Sequence, residues 1–392
     1  MPLLEIITIA CVGLLFYTYI GYPLLLLVLT TITKSKKERK GGNNNLPHIS
    51  LLIAAYNEEK VIETKINNCL MLNYPKELLD IWIASDGSSD GTNCIVRSFI
   101  KNNDRIHLLE FERSGKSGVL NKAINYIESN IIVFSDANTM YKADALRNLV
   151  KHFNDPKVGC VSGRLIYRNP GQVLSGKGES LYWRYETMLK KLESKLGYVA
   201  GANGAIYAIR RELCEPLPPK TINDDFTNSM RVIEKGYKCI YESNAIAFED
   251  VAPDLSSEFK RHIRDGAGHY VAIIHLKGLL NPLLGIRSII YWSHRILRWM
   301  APFILIMLFI LNLFILDHLL FKTIFILQVI FYGSAIIGLL CFRERGKKVP
   351  VFLYVPFYFC SLNLALLIGF FKVITGAQKT TWERTERITT IQ

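Results

Sequence analysis

No two of the eight cysteines (Cys11, Cys69, Cys94, Cys160, Cys214, Cys239, Cys341 and Cys360) form a CxxC pair, and none stands at ligand spacing with a histidine. The chain has 392 residues, long enough to bury a core without staples. The scatter therefore excludes a disulfide scaffold and a structural zinc module, and predicts a reduced, cytosol-facing body. Internal repeats and low-complexity tracts are missing too, and 50% of the residues are apolar, which excludes disorder and a collagen-like rod. Acid is the scarcer charge, with 34 Asp and Glu against 47 Lys and Arg and a net charge of +13. Much of that excess lies in clusters beside apolar runs, and no basic stacking face is visible. The charge thus points to a membrane surface and away from nucleic acid.

Charge of either sign is absent over the 28 residues from Ile6 to Thr33. At about 1.5 Å per helical residue this run exceeds the ~30 Å of a hydrocarbon core. A cleaved signal peptide would begin with basic residues; here the early charge is Glu5, and Lys34, Lys36, Lys37, Arg39 and Lys40 come after the run. Residues 1–33 are therefore read as a membrane helix with its N-terminus outside, and residues 34–47 as a basic linker. Three more apolar blocks, Trp299 to Leu316, Thr323 to Phe342 and Val349 to Phe371, form a membrane region at 299–371, after interfacial helices at 271–298 and before a tail at 372–392. The third block carries Pro350 and Pro356 in its first two turns. Those prolines favour a broken or re-entrant helix, which leaves the tail in the cytoplasm.

Residues 48–270 read as an α/β domain. Apolar runs at Ile49 to Ala55, Leu79 to Ser85, IHLLEF and Ile131 to Ser135 alternate with helix-period segments from about Glu59 to Leu72, Thr92 to Lys101 and Lys116 to Glu128. This predicts a mainly parallel, Rossmann-like sheet covered by helices, with ligands at the carboxyl ends of its strands. There the sequence places Tyr56-Asn57-Glu58, Asp86-Gly87-Ser88-Ser89-Asp90-Gly91-Thr92 and Asp136-Ala137-Asn138. Any one of these is an ordinary turn or helix cap; three at successive strand ends make a binding edge. Asp136 and Asn138, two residues apart on extended backbone, face one side and suit a hard divalent ion clamping a diphosphate.

In order, AYNEE, SDGSSDGT, GKSGVLNKA, FSDAN, VAGANGAIYAIRR and INDDF resemble the signature series of inverting family-2 glycosyltransferases with a GT-A fold. The membrane layout around them resembles that of the bacterial cellulose, hyaluronan and poly-N-acetylglucosamine synthases. The resemblance implies that Tyr56, Glu58 and Asp86 hold a uridine, Lys116 the diphosphate, and Asp136 with Asn138 a Mg2+ or Mn2+ ion. Asn138 stands where the family has a second Asp. It further implies that Asp225, beside Asp224, is the general base, since inversion needs one carboxylate opposite the leaving diphosphate. Arg261 and Arg264 would contact that diphosphate, while Gly201, Asn203 and Gly204 with Trp382 of the tail would meet the acceptor. Asp265 replaces a family Trp that forms an acceptor platform in processive synthases. The segment Leu174 to Leu196 is read as an interfacial or acceptor-flanking helix, with Glu179, Tyr182 and Glu186 along it.

The expectation is a membrane-bound enzyme of the inner (plasma) membrane, its catalytic domain cytoplasmic, which adds sugar from a UDP-sugar to a growing glycan. Two other readings stay open: a single-step transferase making a lipid-linked sugar on polyprenyl phosphate, and a non-catalytic nucleotide-sugar-binding scaffold. Three or four spans are few for a translocation channel, which points to a lipid-linked acceptor, an oligomer or export partners.

Overall fold

A computed structural model describes residues 2–33, 46–168, 176–250, 255–343 and 349–378. Strand β1 (Ile49–Ala55) is buried at every position, so it reads as one continuous apolar run with no alternation. It pairs in parallel with β2 (Leu79–Asp86) and β4 (Ile131–Asp136), and β2 in turn with β3 (Ile106–Phe111). Strands β5 (Met140–Tyr141), β6 (Val158–Arg168), β7 (Tyr207–Arg210) and β8 (Lys238–Asp250) complete an eight-stranded sheet of order β3-β2-β1-β4-β7-β6-β8-β5. The sheet is mixed: β7 runs antiparallel to β4 and β6, and β8 parallel to β6. Register sets Ala54 opposite Asp136 and Ala55 opposite Ser85, so β1, β2 and β4 end level with one another. That shared edge, where strand order turns back on itself, is the usual ligand crevice of such sheets.

The helices follow the sequence reading with shifted ends. At the N-terminus, α1 (Pro2–Phe16) and α2 (Tyr22–Ile32) join through a π-helical turn. Within the domain lie α3 (Ile62–Leu70), α4 (Thr92–Ile100), α5 (Lys116–Ala123) and α6 (Ala145–Val150). Helix α3 starts later than Glu59 because residues 57–61 are spent in the turn after β1. Helix α5 ends early, Ile124–Tyr126 tightening into a 3-10 turn. Then come α7 (Gly176–Leu196), α8 (Asp224–Glu234) and α9 (Leu255–His275). Finally, α10 (Ile286–Ile290) runs through a π-helical stretch into α11 (Leu297–Asn312), followed by α12 (Leu319–Arg343) and α13 (Val351–Ile374).

Alternate residues of β1 feed two cores. Ile49, Leu51 and Ile53 pack with Ile62 and Ile66 on one face. Leu52 and Ala54 pack on the other with Phe226 and Met230 of α8, Tyr270 of α9 and Trp299 of α11. The second core therefore joins the sheet directly to a membrane-length helix.

Among the described residues, four helical segments are long and apolar enough to cross a membrane: Leu3–Ile32, Ile286–Asn312, Leu319–Phe342 and Val351–Ile374. The second begins at Ile286 and not at Trp299, inside the stretch read as interfacial, and its His294 and Arg298 turn inward against α7. The last runs unbroken from Val351 to Ile374. Pro350 sits outside it as the cap, and Pro356 falls near its start, where it forfeits a single helical bond. Helix α13 lies close against α9, since a Cβ on Gly369 would come within 2.6 Å of the Ala267 nitrogen. Small residues let two helix backbones approach in this way. The basic linker and Trp382 lie outside the described residues.

Candidate active site

The first two motifs tie two loops together. Asn57, at φ 53°, accepts at Oδ1 from the Ser89 N–H (2.8 Å), and its own N–H donates to Ser88 Oγ (3.1 Å). The Glu58 N–H donates to Thr92 Oγ1 (2.8 Å) and the Glu59 N–H to Asp90 Oδ2 (3.1 Å). Ser88, Asp90 and Thr92 thus do the turn and cap work expected of such residues anywhere. Asp86 differs. It is fully buried and accepts from the N–H groups of Ser114 (2.6 Å) and Gly115 (3.0 Å) and from the Arg113 guanidinium. That guanidinium lies over the Tyr56 ring, its carbon 3.3 Å from the ring centroid. The flat slot assigned to a uridine is therefore closed by the chain's own planar cation. Arg113 escaped the sequence reading, although its place between β3 and Gly115-Lys116 was a usable signal.

One ammonium joins the next two motifs. Lys116, at the start of α5, places Nζ 2.8 Å from Asp136 Oδ1 at the end of β4 and 3.2 Å from Asp224 Oδ1 at the start of α8. Burial works against its charge, but Asp136 and Asp224 outweigh burial and raise its pKa, so it stays protonated. Burial also raises Asp224, against the pull of Lys116. Asp225 is pushed up to about 6, by burial first and by Asp224 second. A Cβ on Gly204 would stand 3.2 Å from Asp225 Oδ2, and one on Gly201, whose φ is +100°, 2.6 Å from the Phe226 ring. The Gly201–Gly204 loop can lie this close to α8 because it carries so little side chain.

Asn138 sits in the turn after β4 and not on extended backbone. Its Nδ2 donates to Glu249 Oε1 (3.1 Å), so an ion there would have to be met by Oδ1. Among the described residues no three His, Cys, Asp or Glu side chains converge on a metal position. Asp136 and Asn138 are thus the donors on hand, and an ion held by them would complete its shell with diphosphate oxygens and water, as Mg2+ and Mn2+ commonly do. The residues fit such an ion.

A cavity of about 900 Å³ opens beside these groups. Glu58, Lys116, Asp136, Asn138, Asp224 and Asp225 line it, as do Asn203 and Gly204 and, from α9, Arg261 and Arg264. The Arg264 Nε is buried with no hydrogen bond among the described residues. Tyr56, Asp86 and Arg113 do not line the cavity. Further wall comes from β6, β8, α7, α11, α13 and Tyr19, and includes Tyr182 and Glu186 of the helix read as acceptor-flanking.

Comparison with known proteins agrees with this geometry. The Glycosyl transferase family 2 model matches residues 50–216. Poly-beta-1,6-N-acetyl-D-glucosamine synthase of Staphylococcus aureus is 28% identical over 236 residues, 59% of this chain and 57% of that protein. Beta-monoglucosyldiacylglycerol synthase of Trichormus variabilis is 30% identical over 194 residues, 48% of this chain and 42% of that protein. The chain thus spans about half the length of the curated relatives it matches. Among solved structures, a mannosyltransferase from Pyrobaculum calidifontis in complex with GDP-Man and Mn2+ covers 93% of this chain and 99% of its own at 22% identity and a TM-score of 0.65, which shows a shared fold. Residues 50–216 are a family-2 glycosyltransferase domain, and it is built on the GT-A fold.

Proposed function

We propose that the chain moves a sugar from a UDP-sugar to a hydroxyl of a growing glycan, with inversion, at the cavity between the sheet edge and the membrane-length helices. The observation that carries the reading is the single ammonium of Lys116 held between Asp136 and Asp224, with Asp225 adjoining. The uracil takes the place of the Arg113 guanidinium on Tyr56, with Asp86 and Glu58 beside it. The acceptor oxygen bonds to the anomeric carbon from the side of Asp225, which takes its proton. The bond to the diphosphate breaks, and its electron pair leaves with UDP. Lys116, Arg261 and Arg264 neutralise the departing diphosphate. Asp136 and Asn138 would hold a Mg2+ or Mn2+ ion, which would supply further positive charge there when bound.

A base must be unprotonated to act. With Asp225 raised to about 6, kcat/KM should be level above that pH and fall about tenfold per unit below it. A profile that stays flat down to pH 5 would take the role from Asp225.

Donor chemistry and the basic cluster after the first apolar segment support a cytoplasmic domain under the inner membrane. Cys94, exposed on α4, should therefore resist a membrane-impermeant maleimide in intact cells and react once they are permeabilised, in a background lacking the other cysteines. Labelling in intact cells would reverse the orientation.

A further inference from the structure

One cation of a membrane-length segment reaches back to the neighbourhood of the base. Arg295 sits in the π-helical turn that leads into α11, and it donates from Nε (2.8 Å) and from Nη2 to the Ala200 carbonyl. Its guanidinium carbon lies over the ring of Phe226, the residue after Asp225, 5.5 Å from the centroid. A Cβ on Gly201 would come within 3.4 Å of the same guanidinium. Arg295 therefore touches both the small-residue loop and the helix that carries Asp225, and belongs to neither. Although it lines the cavity, two of its nitrogens are spent on Ala200, and the third lies 4.0 Å from Glu186 Oε2.

The rest of the loop is pinned as closely. The Ala200 N–H donates to Glu193 Oε2 of α7 (3.0 Å), the Ala202 N–H to Ser229 Oγ of α8 (2.9 Å) and the Asn203 N–H to Ser162 Oγ of β6 (3.1 Å). A buried polar cluster in turn seats the segment that supplies Arg295. The adjacent His294 has Nδ1 2.6 Å from Glu193 and Nε2 3.3 Å from Glu186. The Tyr22 hydroxyl donates to Glu193 (2.6 Å), Arg298 pairs with Glu186, and the hydroxyls of Tyr17 and Ser293 lie 2.8 Å apart. Tyr17 and Ser293 both fall in π-helical turns, which recur at functional sites. Leaving such groups unpaired among apolar helices is costly, so the cluster selects one seating of Ile286–Asn312 on α7.

We propose that Arg295 is a positioning residue of the transfer. By gripping Ala200 and covering Phe226 it sets the Gly201–Gly204 loop against Asp225, so that a hydroxyl held at the loop meets the base. The segment Ile286–Asn312 is then a working part of the site as well as an anchor. The proposal rests on the cavity being the transfer site with Asp225 as its base, and it adds what keeps loop and base in place.

The test uses the full chain in detergent with UDP-sugar and total membrane lipid, and counts turnover per UDP-binding site, so that loss of folded protein does not register. Arg295→Met should lower kcat about 100-fold, the scale of a small misplacement of reacting groups. Its UDP affinity, and the Mn2+ dependence of that affinity, should match the wild type. Arg295→Lys can still offer one donor to Ala200 and should recover turnover to within about tenfold. Ser229→Ala frees Ala202 on the other side of the loop and changes no charge; it should lower kcat about tenfold, again with UDP affinity unchanged. Since both act on one loop, the double variant Arg295→Met with Ser229→Ala should lose less than the product of the single losses. Wild-type turnover per site in Arg295→Met would overturn the proposal, as would a matching fall in its UDP affinity, which would make Arg295 a donor ligand. Should Arg295→Met not fold, wild-type turnover in both Arg295→Lys and Ser229→Ala would overturn it equally. Turnover by the wild-type chain tests the transferase reading separately, so these outcomes strike the positioning role alone.

Discussion

Asp225→Asn should lower kcat about 100- to 10,000-fold, the usual worth of a positioned proton acceptor, and leave UDP binding nearly unchanged. The carboxamide keeps the size of the side chain and can still accept the 2.8 Å bond from the Phe226 N–H, so the start of α8 should keep its shape. What it cannot do is take a proton. The effect belongs to the acceptor half of the reaction, because Asp136 and Lys116, on the donor side, are untouched. Turnover of Asp225→Asn at the wild-type rate, with loss in Asp224→Asn instead, would move the base by one residue. That outcome has a physical meaning. Asp224 is the carboxylate 3.2 Å from Lys116, and a base so tightly paired would have to be freed by the incoming diphosphate.

Asp136→Ala should weaken donor turnover about 100- to 1,000-fold, a loss comparable to removing a main electrostatic group from a transfer site. Unlike the first variant it should act on the donor, reducing UDP affinity and abolishing the gain in affinity that Mn2+ gives. Two consequences combine. The one carboxylate of the candidate ion site is lost, and Lys116 gives up its 2.8 Å partner and turns wholly to Asp224. Asn138→Asp separates these consequences, since it adds charge at the ion site without touching Lys116. It should raise metal affinity if Asn138 is a ligand. UDP affinity at the wild-type level in Asp136→Ala would remove Asp136 from the site.

The elements near these residues were legible because local rules govern them. Strand β1 is an unbroken apolar run, the Asp86 and Asp136 motifs end their strands, and Asp224 and Asp225 open a helix whose dipole favours acids there. What was not legible depends on distance in the fold. Arg113 looks like a loop cation until Tyr56 and Asp86 are seen on either side of it. Glu193 and His294 are 101 residues apart and meet at 2.6 Å, and a hydropathy pattern gives no sign of such a pair. For the same reason, His294, Arg295 and Arg298 read as part of the interfacial stretch, although the apolar helical segment that holds them begins at Ile286. Pro350 and Pro356 misled in another way. Pro350 is the cap that precedes α13, and Pro356, though inside it, forfeits one helical bond in the second turn without ending the helix.

The most direct measurement incubates the purified full chain in detergent with a panel of UDP-sugars, Mg2+ or Mn2+ and total membrane lipid as acceptor, and follows UDP release and the size of the product. The account predicts that one UDP-sugar is consumed in a metal-dependent way, that the product is a ladder of sugars, and that Asp225→Asn yields neither UDP nor ladder. Release of no UDP above the Asp225→Asn level, from any sugar in the panel, would contradict it.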